Sequence, residues 1–268
     1  MCAFVHTTLH LRPRITRLSG GSQLRMNRST QWTPSNGLLD KLSVEACARL
    51  RPHLQLVDMP AGKVLFEAQA QQHHMYFPRS GIVSLLYVMG NGDSTEIAMV
   101  GHEGMVGTAL LVDSQSMPAR GVVQVFGEAY SLKAEVVEQE FRRGGEFQFV
   151  VLRYMQVLIA QMAQNAVCNR HHPVEKQLCR WLLLCLDRVE SDELNMTQEQ
   201  IASRLGVRRE GVTEAAGRLQ DAGLIQYSRG KIRVLDREGL KHKSCECYLA
   251  VGNEYDRLLK DLPLVSDR

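Results

Sequence analysis

Residues 197–235 read TQEQIASRLGVRREGVTEAAGRLQDAGLIQYSRGKIRVL. Thr197 and Gln200 fit a capping box: the threonine hydroxyl takes one free backbone N–H while the glutamine reaches back to another. Ile201, Ala202 and Leu205 supply one apolar face of a short helix, and Gly206 ends it by permitting a left-handed turn. Val207 opens a second helix through Val212, Ala215, Ala216 and Leu219 to Ala222, with Gly223 as its stop. Small Ala202, the turn at Gly206 and apolar Val212 let the two helices pack closely at a steep angle, which predicts a helix-turn-helix. Residues 224–227 and 231–235, joined through Ser228-Arg229-Gly230, read as a β-hairpin with a basic tip, a wing.

A buried helical hairpin would have to explain Arg208, Arg209, Glu210, Glu214 and Arg218 on one short helix. DNA binding explains them. A recognition helix enters the major groove N-terminus first. Arginine bonds both acceptors of a guanine edge and glutamate accepts from a cytosine amino group. Arg209 and Glu210 are therefore expected to read bases, with Thr213 and Glu214 one turn further along the same face. For Glu214 an ion pair that orients a neighbouring arginine stands as an equal alternative. Thr197, Gln198, Arg208, Arg229 and Lys231 suit phosphates, which position a protein without encoding sequence.

Upstream, Pro173 stands at the start of a helix reaching Val189, and residues 146–168 form a longer one. In the longer helix Phe147, Val150, Val151, Tyr154, Val157, Leu158, Gln161, Met162 and Ala166 recur at three and four, while Leu152, Met155 and Ile159 lie on the opposite side. A helix with two apolar faces must bury both, one on its own domain and one on a partner. The economical partner is a second copy across a two-fold axis, and Val151, Tyr154, Leu158 and Met162 are expected to line that seam.

Before the helices, from Leu54 to Leu132, the pattern has period two in short pieces: 63–66, 75–77, 82–88, 96–100, 122–126 and 129–132. Turn residues such as Pro60-Ala61-Gly62 and Gly90-Asn91-Gly92-Asp93 separate them. Short strands at this spacing predict a β-barrel or jelly roll, able to enclose a small ligand or to be filled by its own side chains.

The 268 residues carry a net charge of only +3, unevenly spread. Residues 197–243 hold ten basic and six acidic groups, and residues 40–196 hold fourteen and eighteen. A basic module behind an acidic middle permits a nucleic-acid partner. No apolar run approaches the ~20 residues of a membrane span, and seven scattered cysteines read as reduced thiols of a cytoplasmic protein. Residues 1–39 contain five arginines and no acid. Residues 1–37 are expected to be a disordered basic leader or an upstream start, with Met26 as the true one; a transit peptide would share this composition. No nucleophile–base pair, phosphate loop with its lysine or paired carboxylates point to an enzyme.

A β-roll, a long interface helix and a C-terminal winged helix-turn-helix, in that order over residues 38–243, resemble the Crp/Fnr family of bacterial transcription regulators. Val207-Arg208-Arg209-Glu210-Gly211-Val212 is similar to the family's recognition start, which implies base contacts by Arg209 and Glu210 and RNA polymerase as a partner. Glu214 stands where the family carries a further arginine, a change of sign that implies a different half-site. Where cyclic-nucleotide-responsive members hold the ribose with a glutamate and the phosphate with an arginine, the chain has Thr108 and Met117, and Pro118 removes a backbone donor. The resemblance therefore implies a degenerate nucleotide pocket at Thr108, Met117 and Pro118, with Arg120 offset from the required place.

No cofactor is expected. The family's [4Fe–4S] site needs clustered N-terminal cysteines, and Cys2 and Cys47 stand alone. His73, His74 and His102 read as surface histidines rather than haem ligands, and the glycines of Glu103-Gly104-Met105-Val106-Gly107 as tight turns. Cys168-x-x-His171-His172 with Cys179, and Cys245-x-Cys247, have metal-ligand residue types, but neither spacing matches a closed zinc site, so no metal is assigned.

The expected fold is α+β, with a leader at 1–37, a cyclic-nucleotide-binding-like roll at 38–145, a dimerisation helix at 146–170, a winged helix-turn-helix at 171–243 and a C-terminal extension at 244–268. The expected function is a homodimeric, sequence-specific regulator acting on double-stranded DNA at an inverted repeat and not answering cyclic AMP. A sensor for an unidentified ligand or redox signal is the alternative.

Overall fold

The structure, a computed structural model, describes residues 36–112 and 116–260. The basic leader lies outside them except for Asn36 and Gly37, which belong to the body of the roll. Asn36 is fully buried, its amide donating to the Pro78 and Gly104 carbonyls, and the Gly37 N–H donates to the His102 carbonyl.

A short helix α1 (Val44–Leu50), capped by the Ser43 hydroxyl, precedes seven strands. These are β1 (Gln55–Met59), β2 (Val64–Phe66), β3 (His74–Pro78), β4 (Ile82–Val88), β5 (Ser94–Val100), β6 (Ala119–Val125) and β7 (Gly127–Lys133). They form two antiparallel sheets, β1-β7-β3 and β2-β6-β4-β5. The chain changes sheet between β6 and β7, and Gly127 is required there because a Cβ would stand 2.2 Å from the Ser80 carbonyl oxygen. Met59, Met75, Phe77, Val83, Leu85, Val100 and Leu132 fill the space between the sheets at alternate positions.

Strand β4 breaks the alternation: its first five residues are all buried. Ile82 and Met99 belong to a second core, formed with the C-terminal helices, so both faces of this sheet are covered.

After β7 come α2 (Ala134–Arg143) and the 26-residue α3 (Glu146–His171), about 39 Å long at 1.5 Å per residue. The turn at His172-Pro173 leads into α4 (Val174–Leu186), whose last ten residues are buried. The DNA-binding module comprises β8 (Glu193–Asn195), α5 (Gln198–Leu205), α6 (Arg209–Asp221), β9 (Ile225–Ser228) and β10 (Lys231–Val234). Two further helices, α7 (Arg237–Lys243) and α8 (Cys247–Tyr255), bring the C-terminal extension back to α3. Leu259 is buried in the core of the roll. Among the described residues no helix is long and apolar enough to cross a membrane.

The face of α3 expected to meet a partner is turned inward. Val151, Tyr154 and Leu158 are 1%, 2% and 5% exposed in the single chain, and Met162 packs against the same core. Period alone names two apolar faces; the roll covers the one carrying these residues. The face left open carries Phe149, Leu152 and Ile159, 49%, 45% and 56% exposed, with Gln156, Ala163 and Ala166 exposed between and beyond them.

Candidate nucleic-acid interface

Both halves of the capping box at Thr197 are present, its side chain accepting from the Gln200 N–H at 3.2 Å while Gln200 Oε1 accepts from the Thr197 N–H at 2.8 Å. Gly206 follows at φ +65°, in the left-handed region that glycine enters without strain. Ile201, Ala202 and Leu205 then meet Val212, Ala215, Ala216 and Leu219 in one apolar core, and α4 supplies its floor through Leu178, Trp181 and Leu182. The wing is three-stranded, β8-β10-β9. Its third strand, β8, lies outside the hairpin read from sequence, with Leu194 buried opposite Ile232. At the tip Ser228 pairs with Lys231 across Arg229-Gly230, both at positive φ, as a two-residue hairpin demands.

Packing the apolar stripe of α6 leaves Arg209, Glu210, Thr213 and Glu214 exposed together on the other side, with Arg208 as the exposed residue before the first turn. Their engagements differ. The Thr213 hydroxyl lies 2.7 Å from Gln198 Oε1 and 3.1 Å from the Arg209 carbonyl, so its proton is already taken. Glu214 lies 3.9 Å from Arg218, which is held more closely, at 2.6 Å, by Glu175 of α4. The arginine joins the recognition helix to α4. In the wing, Lys231 sits 3.1 Å from Glu193, an exposed pair that water and salt weaken. The Thr197 and Gln198 side chains serve the cap and Thr213.

The module is docked on the roll. Ser203 Oγ of α5 lies 2.9 Å from Ser94 Oγ and donates to the Ser94 carbonyl at 3.3 Å, and a Cβ at Gly206 would stand 2.9 Å from Thr95 Oγ1. Arg208, Arg209 and Glu210 line a cavity of about 1180 Å³ whose other wall is Met89 and Gly92–Thr95 of the β4–β5 hairpin.

A buried polar chain runs beneath this dock. Ser84 Oγ is 2.5 Å from both Glu96 Oε2 and Gln124 Oε1, and Trp181 Nε1 donates to Glu96 Oε1 at 3.2 Å. One hydroxyl proton cannot serve two acceptors. A neutral Glu96 donating to Ser84, which donates to Gln124, satisfies all three. Burial pushes the Glu96 carboxyl up, while Ser84, Arg204 and Trp181 pull against it. Nearby, Arg188 at the end of α4 holds Glu103 of the roll at 2.7 Å, both largely buried.

The residues implied for a nucleotide pocket lie on the segment between β5 and β6. Gly107, at φ +112°, precedes a short 3-10 turn, Thr108–Leu111, and its Cβ would lie 2.9 Å from the His74 carbonyl oxygen. Met117 leans on the roll's core, and its carbonyl accepts from the Gln69 N–H at 2.8 Å. Arg120 is 3.3 Å from Glu67.

The four donors Cys168, His172, Cys245 and Cys247, read in sequence as two unrelated motifs, come together at the end of α3. Cys179 and His171 are not among them, and the 77 residues between Cys168 and Cys245 left no local signal.

A β-roll, a long helix with one open apolar stripe and a winged helix-turn-helix carrying arginines at its tip define a DNA-binding regulator. The comparisons with known proteins agree. Residues 56–143 match the cyclic nucleotide-binding domain and residues 176–243 the Crp-like helix-turn-helix domain, together more than half of the chain. The chain belongs to the Crp/Fnr family of transcription regulators, and its relatives are regulators rather than enzymes. It is 24% identical over 182 residues to the global nitrogen regulator of Nostoc, covering 64% of this chain and 81% of that protein. It is 21% identical over 215 residues to the CRP-like cAMP-activated global transcriptional regulator of Mycobacterium tuberculosis, covering 78% and 96%. Among solved structures, the c-di-GMP-responsive global regulator CLP of Xanthomonas campestris superposes with a TM-score of 0.61 at 16% identity, over 72% of this chain and all of that one.

Proposed function

We propose that the protein is a cytoplasmic, homodimeric transcription factor that binds an inverted-repeat operator and does not respond to cyclic AMP or cyclic GMP. The observation that carries the DNA reading is the exposed set Arg208, Arg209, Glu210 at the start of α6, held on a module whose buried apolar residues form one core with α4 and with Ile82 and Met99 of the roll. Arg209 and Glu210 read base edges; Arg208 and the wing-tip Arg229, both exposed, take phosphates. Dimerisation is supported by the open stripe of α3. Phe149, Leu152, Gln156, Ile159, Ala163 and Ala166 are spaced alternately by three and four, the repeat that meshes two helices along one seam. RNA polymerase stays a partner by family membership.

Indifference to cyclic nucleotides rests on chemistry. A cyclic phosphate requires a positive partner in the roll; Met117 offers none, and Arg120 is engaged by Glu67. The decisive experiment is selection from random duplexes with the full chain, repeated with each cyclic nucleotide. The expected result is one inverted repeat with half-site centres one helical turn, about 34 Å, apart, and unchanged affinity on adding either nucleotide. Equal binding to all duplexes rejects the regulator reading, and nucleotide-dependent affinity rejects the degenerate pocket.

The docked module is the silent arrangement. The β4–β5 hairpin of the roll stands across the cavity from Arg208, Arg209 and Glu210, where the wall of a major groove would have to lie. To read DNA, α5 must leave β5. Replacing Thr95, which touches Gly206 from the roll side, with tryptophan crowds that contact without altering the reading head. Thr95→Trp is expected to raise operator affinity about five- to tenfold by enlarging the undocked population. Unchanged or weaker binding by a folded variant, measured by fluorescence anisotropy, contradicts the silent state.

A further inference from the structure

We propose that Cys168, His172, Cys245 and Cys247 bind one thiophilic divalent ion of the zinc class, fastening the C-terminal arm to the hinge between α3 and α4. The four donor atoms all lie within 4.8 Å of one another. Cys168 Sγ is 3.6 Å from Cys245 Sγ, and Cys247 Sγ is 3.5 Å from His172 Nδ1. A tetrahedral zinc with sulfur at about 2.3 Å and nitrogen at about 2.0 Å has edges of about 3.8 Å between two sulfurs and about 3.5 Å between sulfur and nitrogen. Two of the six edges already have these lengths, and the remaining donor pairs lie within 4.8 Å. A multi-iron cluster would place cysteines on different irons and spread the sulfurs further apart.

The surroundings are those of a ligand shell. His172 turns Nδ1 to the cluster and its other nitrogen, Nε2, to Glu246 Oε1 at 3.4 Å. A carboxylate behind a histidine fixes the ring and its tautomer and raises its basicity as a ligand. Arg180, 6% exposed, reaches the Cys247 carbonyl at 3.5 Å and Asn165 Oδ1 at 2.5 Å. Three thiolates with a divalent ion carry one net negative charge, which this buried guanidinium balances. Cysteines often serve as small core residues, but here Cys168, Cys245 and Cys247 form a buried group apart from both apolar cores.

The position gives the ion a role. Cys168 and His172 belong to the last turn and cap of α3, beside the hinge at Pro173, and Cys245 and Cys247 begin the arm whose α8 packs along α3. A bound ion would tie the hinge to the arm and so limit how far the DNA-binding module moves.

The test is the metal content of the purified full chain prepared without chelator, followed by titration of the metal-stripped chain with Co²⁺. The expected result is one zinc per chain, and a cobalt adduct with the intense d–d bands of a tetrahedral site and thiolate-to-cobalt charge transfer. Cys247→Ser should lose most of the metal, Glu246→Gln should bind about ten- to a hundredfold more weakly, and Cys47→Ser, in α1, should bind as the parent does. Because Cys247→Ser could fail to fold, the cobalt spectrum of the unmodified chain stands as the independent criterion. An octahedral, thiolate-free cobalt spectrum overturns the proposal, as does a reduced chain that retains no metal. A purified chain whose Cys168 and Cys245 are found as a disulfide, and which binds no zinc after reduction, overturns it as well.

Discussion

Ile159→Glu is expected to yield a folded monomer whose operator affinity falls by a hundredfold or more. Ile159 is 56% exposed near the middle of the open stripe of α3, so the substitution removes nothing from the chain's own interior. Across a two-fold axis each copy would place that glutamate in the seam, where two carboxylates face apolar side chains without a positive partner and must be desolvated or separated. Loss of the second reading head removes the effective concentration that linkage provides, a factor of about 10²–10⁴. Light scattering reports the oligomeric state and a gel-shift titration the affinity. An intact dimer carrying glutamate at 159 would place the seam elsewhere. Met162→Glu is the instructive contrast: Met162 packs against the roll's core, so its expected effect is a lower melting temperature rather than a clean monomer.

Arg209→Ala is expected to cost about 1–3 kcal/mol at the operator, roughly a five- to 150-fold loss, and to relax preference at one base position. Arg209 opens α6 on its exposed side, with no ion pair among the described residues to fix it away from the groove, whereas Arg218 on the same helix is committed to Glu175. Its guanidinium can bond both acceptors of a guanine edge, a pair of hydrogen bonds that no other base edge offers. Selection of random half-sites by parent and variant separates the roles. A fall confined to sites with one particular base marks a reader. An equal fall on specific and random duplexes, with a shallower salt dependence, would make Arg209 a phosphate contact.

The module that carries these residues was legible because its signals are local. A capping box, a glycine at the turn, an apolar stripe and a basic hairpin each lie within one or two helical turns, and each is present, the hairpin with Ser228 in its first strand rather than in the connection. Most strands of the roll were legible for the same reason. β8 was not, because three residues carry too little alternation, and neither were α7 and α8, which owe their positions to α4, α3 and the roll. Glu214 shows the limit at a single residue: its exposure followed from the helical period, but the 3.9 Å approach to Arg218 needed α4 to hold that arginine.

By itself, then, the sequence determined the order of most elements, the presence of two apolar sides on α3 and the winged helix-turn-helix, since periodicity and capping are properties of neighbouring residues. Tertiary packing alone decided which face of α3 the roll would cover, burying Val151, Tyr154 and Leu158 and leaving Phe149, Leu152 and Ile159 exposed. Packing also brought Ser94 to Ser203 across 109 residues and Cys168 to Cys245 across 77. The physical reason is common to these cases. Two faces of equal period are degenerate until one of them meets a surface. A contact between distant segments has its energy set by everything packed around it, and no window along the chain contains that information.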